Sequence, residues 1–245
     1  MIEYSKKISF LTIKECWFDF KPKWTDFFSF FAVYHLQNNK KITAIKEISH
    51  TIELDLTLDT EKIFSNFSKV VRQQIRKAET DGIVCETSAD IEIFVEFFNN
   101  FAIKKGTFAT SQQNILEKKD YLIIRFAKHN GKILAAHSYL KDDDEKIIRH
   151  YQTATIRFNE DIDKNFVGLS NKLLLVNSLV EFKEQGYKKF DLGGYAANTK
   201  DESLLGINNY KLKFGGQVVE CKDYYSMPYW IMKKVSSLLG RSATV

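Results

Sequence analysis

An α/β fold, with a mixed central sheet flanked by helices and an N-terminal β-rich extension, follows from three observations on the sequence. Between residues 168 and 185 the apolar side chains Leu169, Leu173, Val176 and Val180 recur at helical spacing, and Gly186 supplies a left-handed stop. Residues 188–192 then read as a short strand ending in Gly193 and Gly194, so a helix feeds a strand. Three more strands, at 121–128, 132–140 and 146–155, are joined by HisAsnGly at 129–131 and AspAspAsp at 142–144 into an antiparallel meander. Ligands of open α/β sheets sit beyond the carboxyl ends of the strands, which puts Gly193 and Gly194 in or beside a site.

The remaining elements follow in chain order. Residues 1–56 alternate apolar and polar positions in runs at 8–13, 28–36, 42–48 and 52–56, with AsnAsnLys at 38–40 as a hairpin turn. Asp59 or Thr60 caps a helix with the stripe Ile63, Phe67, Val71, Ile75 and Ala78, ending near Gly82. Its opposite face carries Lys69, Arg72, Arg76 and Lys77, which is either a solvated face or a phosphate contact to a nucleotide-linked acceptor through Arg72 and Arg76. Ser88 caps a second helix with Ile91, Phe94, Phe98 and Phe101 on its inner face, and a short helix follows Ser111. After Gly194 come a polar loop, a helix at 203–213 and a strand at 217–222. The tail from Pro228 to Leu239 sets Trp230, Ile231, Val235, Leu238 and Leu239 against Lys233, Lys234 and Arg241, so it packs on the domain or touches a membrane surface.

A chain of 245 residues with twenty Phe can bury one substantial core, and two prolines, Pro22 and Pro228, leave no obvious linker. One domain over 1–245 is expected, with an N-terminal β-rich part at 1–56, a core at 57–223 and the tail at 224–245. Cys16, Cys85 and Cys221 lie far apart without CxxC spacing and read as reduced structural thiols. With no cationic and apolar leader at the N-terminus, and with the 27–36 run too short to cross a bilayer, a cytoplasmic location is expected. The net charge of +5 is mild and suits a solvated surface or an anionic ligand.

Several chemistries find no motif. The five histidines, at 35, 50, 129, 137 and 150, show neither HExxH nor paired spacing, so no metal is expected. GxSxG, GxxxxGKS and GxGxxG are all missing, which argues against a nucleophile elbow, nucleotide hydrolysis and dinucleotide cofactors. By contrast, Arg149, His150, Tyr151, Gln152 and Thr153 put polar groups on both faces of one strand, so one face lines a cavity. Asp191 sits beside the glycine turn, where its carboxylate can accept main-chain N–H groups.

The run GlyTyrLysLysPheAspLeuGlyGly at 186–194, then LeuLeuGlyIleAsnAsnTyrLysLeuLysPheGlyGly at 204–216, resembles the C-terminal signature of Fem-type acyltransferases of the GNAT superfamily. ValArgGlnGlnIleArgLysAlaGluThrAspGlyIleVal at 71–84 is similar to the first-helix signature of the same family. The resemblance spans roughly residues 50 to 225 and implies a GNAT fold. It implies that Gln152, Thr153, Ala154 and Thr155 border the channel of an acyl donor, acyl-CoA and in particular acetyl-CoA. The loop before Gly168 lacks the usual glycine-rich pyrophosphate motif, leaving Gly168, Leu169, Ser170 and Asn171 to offer N–H groups. Asn198 faces the ligand in this reading, and Tyr151, Gly193 and Gly194 join Arg72 and Arg76 on the acceptor side.

Acyl transfer to an amine needs a base, a stabiliser for the oxyanion and an acid for the leaving group. The resemblance implies that Lys211 stabilises charge and that Tyr210 serves as acid, while His150 is the nearest base. The expected reaction is N-acylation of a sugar or peptide in cell-surface glycan assembly, with a nucleotide-linked or lipid-linked amino sugar as acceptor. Aminoacyl-tRNA is the alternative donor, peripheral contact with the inner membrane surface is open for the tail, and a catalytically silent binding module is the alternative outside the enzymes.

Overall fold

The computed structural model describes residues 1–8, 11–18, 31–37 and 45–238, so the expected turn at 38–40, part of the 28–36 and 42–48 runs, Leu239 and Arg241 lie outside the described residues. Two compact units are present, one of Ile52–Val218 and one of Met1–Thr51 with Val219–Val245.

The larger unit contains the mixed sheet. Its strands are β4 (Ile45–Asp55, in its last residues), β5 (Val84–Ser88), β6 (Leu122–His129), β7 (Lys132–Asp142), β8 (Ile147–Thr155) and β9 (Lys189–Gly194), in the order β4-β9-β8-β7-β6-β5. β5 through β8 pair antiparallel, as the two tight turns at 129–131 and 142–144 require, and β8 pairs parallel with β9 across a helical crossover. That crossover is α5 (Lys164–Glu184), which packs with α2 (Lys69–Thr80) on one face of β6 and β7, while α3 (Ile91–Lys105) covers β7 and β8 on the other. The layers are helix, sheet, helix.

Alternation along the strands divides the core accordingly. Ala135, Tyr139, Ile148, Phe190 and Leu192 join Leu173, Val176, Leu179 and Phe182 of α5 in one cluster. Ile124, Phe126, Ala136 and Ala154 join Phe94, Phe98, Phe101 and Ala102 of α3 in the other. Each fully buried large side chain contributes about 1.5–3 kcal/mol by leaving water. Tyr139 meets Phe182 and Phe190, and Phe182 meets Tyr187, edge to face with ring centroids 5.0 to 5.9 Å apart, while Phe182 lies tilted against Phe190 at 6.2 Å.

Three expected elements differ in detail. The helix expected from Asp59 to Gly82 is two helices, α1 (Thr60–Asn66) and α2, because Phe67 is extended and the Ser68 hydroxyl accepts from Val71 N at 3.4 Å to cap a new start. Ser88 does not cap α3; it ends β5, a strand the sequence reading passed over, and Asp90 caps the helix by accepting from Ile93 N at 2.9 Å. α5 begins four residues before Gly168, for a reason that bears on the site. The short helix after Ser111 is α4 (Gln112–Leu116), and the helix after the glycine pair is α6 (Glu202–Leu212).

In the smaller unit β1 (Ile2–Ile8) and β2 (Leu11–Trp17) pair antiparallel, β2 runs parallel to β3 (Ala32–Gln37), and β10 (Gln217–Tyr225) pairs antiparallel with β3. Two strands thus occupy the region where one was expected at 8–13. The tail is α7 (Met227–Leu238): Tyr229 is buried among Ile13, Val33 and Tyr225, Lys233 donates to Glu47 at 2.6 Å, and Ile231 and Val235 stay exposed. No helix among the described residues is long and apolar enough to cross a membrane.

Candidate active site

The parallel ladder of β8 and β9 is short. Ile147 faces Lys189, Ile148 faces Phe190, Arg149 faces Asp191, and there the register ends, although β8 stays paired with β7 as far as Thr155. A bulge accompanies the departure: Tyr139 opposes His150 and Ser138 opposes Gln152, which leaves Tyr151 as the extra residue that bends the strand. On either side of the bulge, His150 Nε2, Thr153 Oγ1 and Thr155 Oγ1 are buried and have no hydrogen-bond partner among the described residues. Their cross-strand neighbours Tyr139, His137 and Ala135 place all three on the face toward α5. Each such orphan costs about 1–3 kcal/mol, so a row of three beside parting strands calls for a reason other than packing.

At the carboxyl end of β9 a charged group surrounds Gly193. Asp191, 1% exposed, pairs with the Arg149 guanidinium and accepts from Gly193 N at 2.7 Å, so its carboxylate holds the glycine turn as the sequence led one to expect. Gly193 has φ 85°, and a Cβ there would lie 3.2 Å from the His150 carbonyl oxygen and 3.4 Å from Lys211 Nζ. Only glycine keeps that space open. Lys211, in the last turn of α6, donates to the Gly194 carbonyl at 2.7 Å. Burial lowers its pKa to about 8, the Arg149 charge adds to the effect, and Asp191 opposes it.

The preceding residue faces a different environment. Asn171 Nδ2 donates to the Tyr210 hydroxyl at 3.1 Å, and the Asn171 amide oxygen lies 2.8 Å from His137 Nε2. With the amide so oriented, Nε2 carries the histidine proton and Nδ1 accepts from the Tyr139 hydroxyl at 2.8 Å. Burial pushes the Tyr210 phenol well above its ordinary range and lowers His137 to about 4, so both are neutral at pH 7. His150 lies 4.4 Å from the His137 ring and stacks on Tyr139 at 5.2 Å. Burial first, then the charges of His137, Lys211 and Arg149, hold it well below the usual histidine value.

Other sequence candidates fall elsewhere. Asp163 caps α5, and its carboxylate accepts from Asn165 N at 2.8 Å and Phe166 N at 3.2 Å. Gly168, Leu169, Ser170 and Asn171 therefore sit inside the helix, with main-chain N–H groups committed to its ladder; this corrects the expectation that they open it. Asn171 enters the site through its side chain instead. Gln152 accepts from Ser138 Oγ at 3.1 Å, Ala154 is buried beside α3, and Tyr151 faces the Lys118 ammonium at 5.9 Å. Arg72 donates to the Ser65 carbonyl at 3.0 Å and the Phe67 carbonyl at 2.5 Å, tying down the end of α1, while Arg76 is exposed on α2. Asn198 is an exposed turn residue with φ 56°, and Asn208, 4% exposed, holds that loop by pairing with both main-chain groups of Ala196 at 3.1 and 2.9 Å.

His137 and Asn208 were missed by the sequence reading, and Arg149 was read only as one of the polar residues of its strand, without a role of its own. One signal was available for His137: with Tyr139 it interrupts an otherwise apolar run on the same strand face, at spacing two.

No model of a known protein family matches the sequence. A 160-residue stretch is 22% identical to RNA polymerase sigma factor SigI7 of Acetivibrio thermocellus, and the chain spans 65% of that protein's length and matches over 65% of its own. Solved structures are more informative. FemX superposes with a TM-score of 0.66 at 10% identity, over 95% of this chain and 85% of that one. The C-terminal domain assigned to a lysylphosphatidylglycerol synthetase of Agrobacterium fabrum gives 0.62 at 14% identity, over 95% and 83%. L-PGS from Bacillus licheniformis gives 0.59 at 13% identity, over 98% and 86%. What this chain shares with them is the fold, an α/β fold with a mixed sheet between helices.

Proposed function

We propose that the chain transfers an acyl group to an amine at the point where β8 and β9 part. The observation that carries this reading is the orphaned row His150, Thr153 and Thr155 beside Lys211 and the glycine turn at Gly193. The amine nitrogen attacks the acyl carbonyl carbon, the new C–N bond forms, and the carbonyl electron pair moves to oxygen. The Lys211 ammonium stabilises that oxygen's charge. His150 Nε2, neutral because of its burial, takes the proton from nitrogen, and the Tyr210 hydroxyl gives its proton to the leaving group as the tetrahedral centre collapses.

The first turn of α5 bears on the donor. A CoA pyrophosphate would need the N–H groups that the Asp163 carboxylate already occupies, and one anion excludes another there. The residues present do not fit that mode of CoA binding, so an aminoacyl ester such as aminoacyl-tRNA is favoured over the acetyl-CoA expected at first. The Fem-type resemblance makes the acceptor an amine of a sugar or peptide in cell-surface glycan assembly. Such a reaction belongs in the cytoplasm, and at the inner membrane surface when the acceptor is lipid-linked.

The test offers aminoacyl-tRNA and acetyl-CoA separately to amino-sugar and peptide acceptors, each with a free amine or an N-acetylated one, and reads products by mass spectrometry. An aminoacyl mass gain on free amines alone is expected. An acetyl gain from acetyl-CoA would return the donor to a thioester, and equal gain on hydroxyl-only acceptors would sink the amine assignment.

A further inference from the structure

A line of hydrogen bonds runs from the sheet through α5 to α6 and ends on Tyr210. Tyr139 and His137, both fully buried, stand two residues apart on β7 and share the face toward α5. The Tyr139 hydroxyl lies 2.8 Å from His137 Nδ1, His137 Nε2 lies 2.8 Å from the Asn171 amide oxygen, and Asn171 Nδ2 donates to the Tyr210 hydroxyl at 3.1 Å. We propose that Asn171, with its amide oriented by His137, is a positioning residue that leaves the Tyr210 proton free for the leaving group; this rests on the transferase reading.

The direction of the line matters more than its length. The Tyr139 hydroxyl gives its proton to Nδ1, which puts the imidazole proton on Nε2 and turns the Asn171 amide oxygen toward it. The amide nitrogen then faces Tyr210, whose oxygen accepts. Asn171 is the one hydrogen-bond partner of the Tyr210 hydroxyl among the described residues, so the proton of Tyr210 has no acceptor among them. Were the amide reversed, its oxygen would take that proton and Tyr210 would have none to offer. The Tyr210 ring itself is half-buried and meets Phe214 edge to face at 5.3 Å, which fixes where the hydroxyl points.

Packing alone does not call for these residues. A leucine at 137 or 171 would fill the layer with no polar group to satisfy, whereas a buried imidazole is unfavourable unless both nitrogens are bonded, as they are here. Acyl transfer gives the arrangement a use. As the tetrahedral centre collapses, the bond from the acyl carbon to the leaving oxygen breaks, its electron pair stays on that oxygen, and the Tyr210 proton joins it. The phenolate left behind keeps the Asn171 N–H bond, which strengthens once its acceptor is charged. Burial raises the Tyr210 pKa and donation from Asn171 opposes the rise, so loss of the amide makes the proton harder to give. For each proton that Tyr210 gives up, His150 gains one from the amine, and its return through water restores both.

Two measurements on the full chain test the role. NMR correlation of ring protons with ring nitrogens in isotopically labelled histidine reads the His137 tautomer without any substitution: a proton on Nε2 is expected, and a proton on Nδ1 reverses the line and overturns the proposal. Kinetics then compare aminoacyl-tRNA, whose ribose oxygen must be protonated as it leaves, with an aminoacyl thioester of a small thiol, whose thiolate leaves without an acid. Asn171→Ala should lower kcat about 10- to 100-fold with the ester and less than about threefold with the thioester, at nearly unchanged KM. In a Tyr210→Phe background the same substitution should cost nothing more with the ester, because the proton it would free is gone. Equal loss with both donors, or full additivity with Tyr210→Phe, would show that Asn171 only ties α5 to α6 and would overturn the role. If the wild type transfers neither acyl group, the transferase reading fails and takes the role with it; if it transfers and these contrasts are missing, the transferase reading stands and the role alone fails.

Discussion

Gly193–Gly194 and Gly215–Gly216 are the same dipeptide on either side of α6, and they do different work. The first pair opens the site: Gly193 leaves room between the His150 carbonyl and Lys211, and Gly194 supplies the carbonyl that holds the ammonium. The second closes the fold. A Cβ at Gly215, where φ is 74°, would come 2.5 Å from the Asn66 carbonyl oxygen, and one at Gly216 would come 2.5 Å from Ile52 Cγ2. One pair therefore keeps a side chain out from between a carbonyl and an ammonium, and the other lets backbone and side-chain atoms pack without a Cβ between them, a difference invisible in the letters.

The largest effect expected from breaking this contrast is on folding. Gly215→Ala puts a side chain on a left-handed residue and drives it into the backbone of α1, which cannot rotate away. Left-handed strain of about 1–2 kcal/mol and overpacking of about 1–3 kcal/mol add to about 2–5 kcal/mol. The urea midpoint should fall accordingly, while turnover per folded molecule stays as in the wild type. A variant that keeps its midpoint and loses turnover would erase the distinction between the two pairs.

The complementary change belongs to the other end of α6. Lys211→Met should lower turnover by a factor of about 100 to 1000, or about 3–4 kcal/mol of lost transition-state stabilisation, and leave donor affinity nearly unchanged. Its midpoint should not fall. Wild-type turnover in this variant would show that the ammonium at Gly194 serves the turn and not the reaction, and would move attention to Tyr210 and His150.

How much of this was legible depended on range. The meander, α5, β9 and α6 were read from periodicity and turn residues, which act over a few neighbours. The break at Phe67 and Ser68 was not, because the stripe Ile63, Phe67, Val71 and Ile75 runs through it unbroken, and the Arg72 guanidinium that braces the break acts through space. Asp191 was readable from its neighbour Gly193. Asn171 was placed in the site for the wrong reason, since the start of α5 is set by the Asp163 cap five residues ahead of Gly168. The pairing of His137 with Asn171, and the location of Arg149 beside Lys211, depend on register across three strands and could not be read locally.

The smallest effect is a pH dependence, and it follows from the same lysine. Lys211 titrates at about 8 in the folded chain against 10.5 when unperturbed. Below pH 8 both folded and unfolded chains hold the proton, and the burial penalty on the ammonium is present in full. Between 8 and 10.5 the unfolded chain binds more protons than the folded one, so this residue's contribution to stability rises with pH across that window and is complete above it. Lys211→Met, which never carries the charge, should therefore melt slightly above the wild type at pH 7, and the gap should close as the pH approaches 10. Turnover should move the other way, because the reaction needs the ammonium: about half is lost at the folded pKa, then about tenfold per further unit. Thermal melts and rates over the same pH series test both at once. A melting gap independent of pH, or a rate that holds through pH 9, would mean that Lys211 keeps an ordinary pKa and that burial around Gly193 is looser than its position 3.4 Å from the missing Cβ implies.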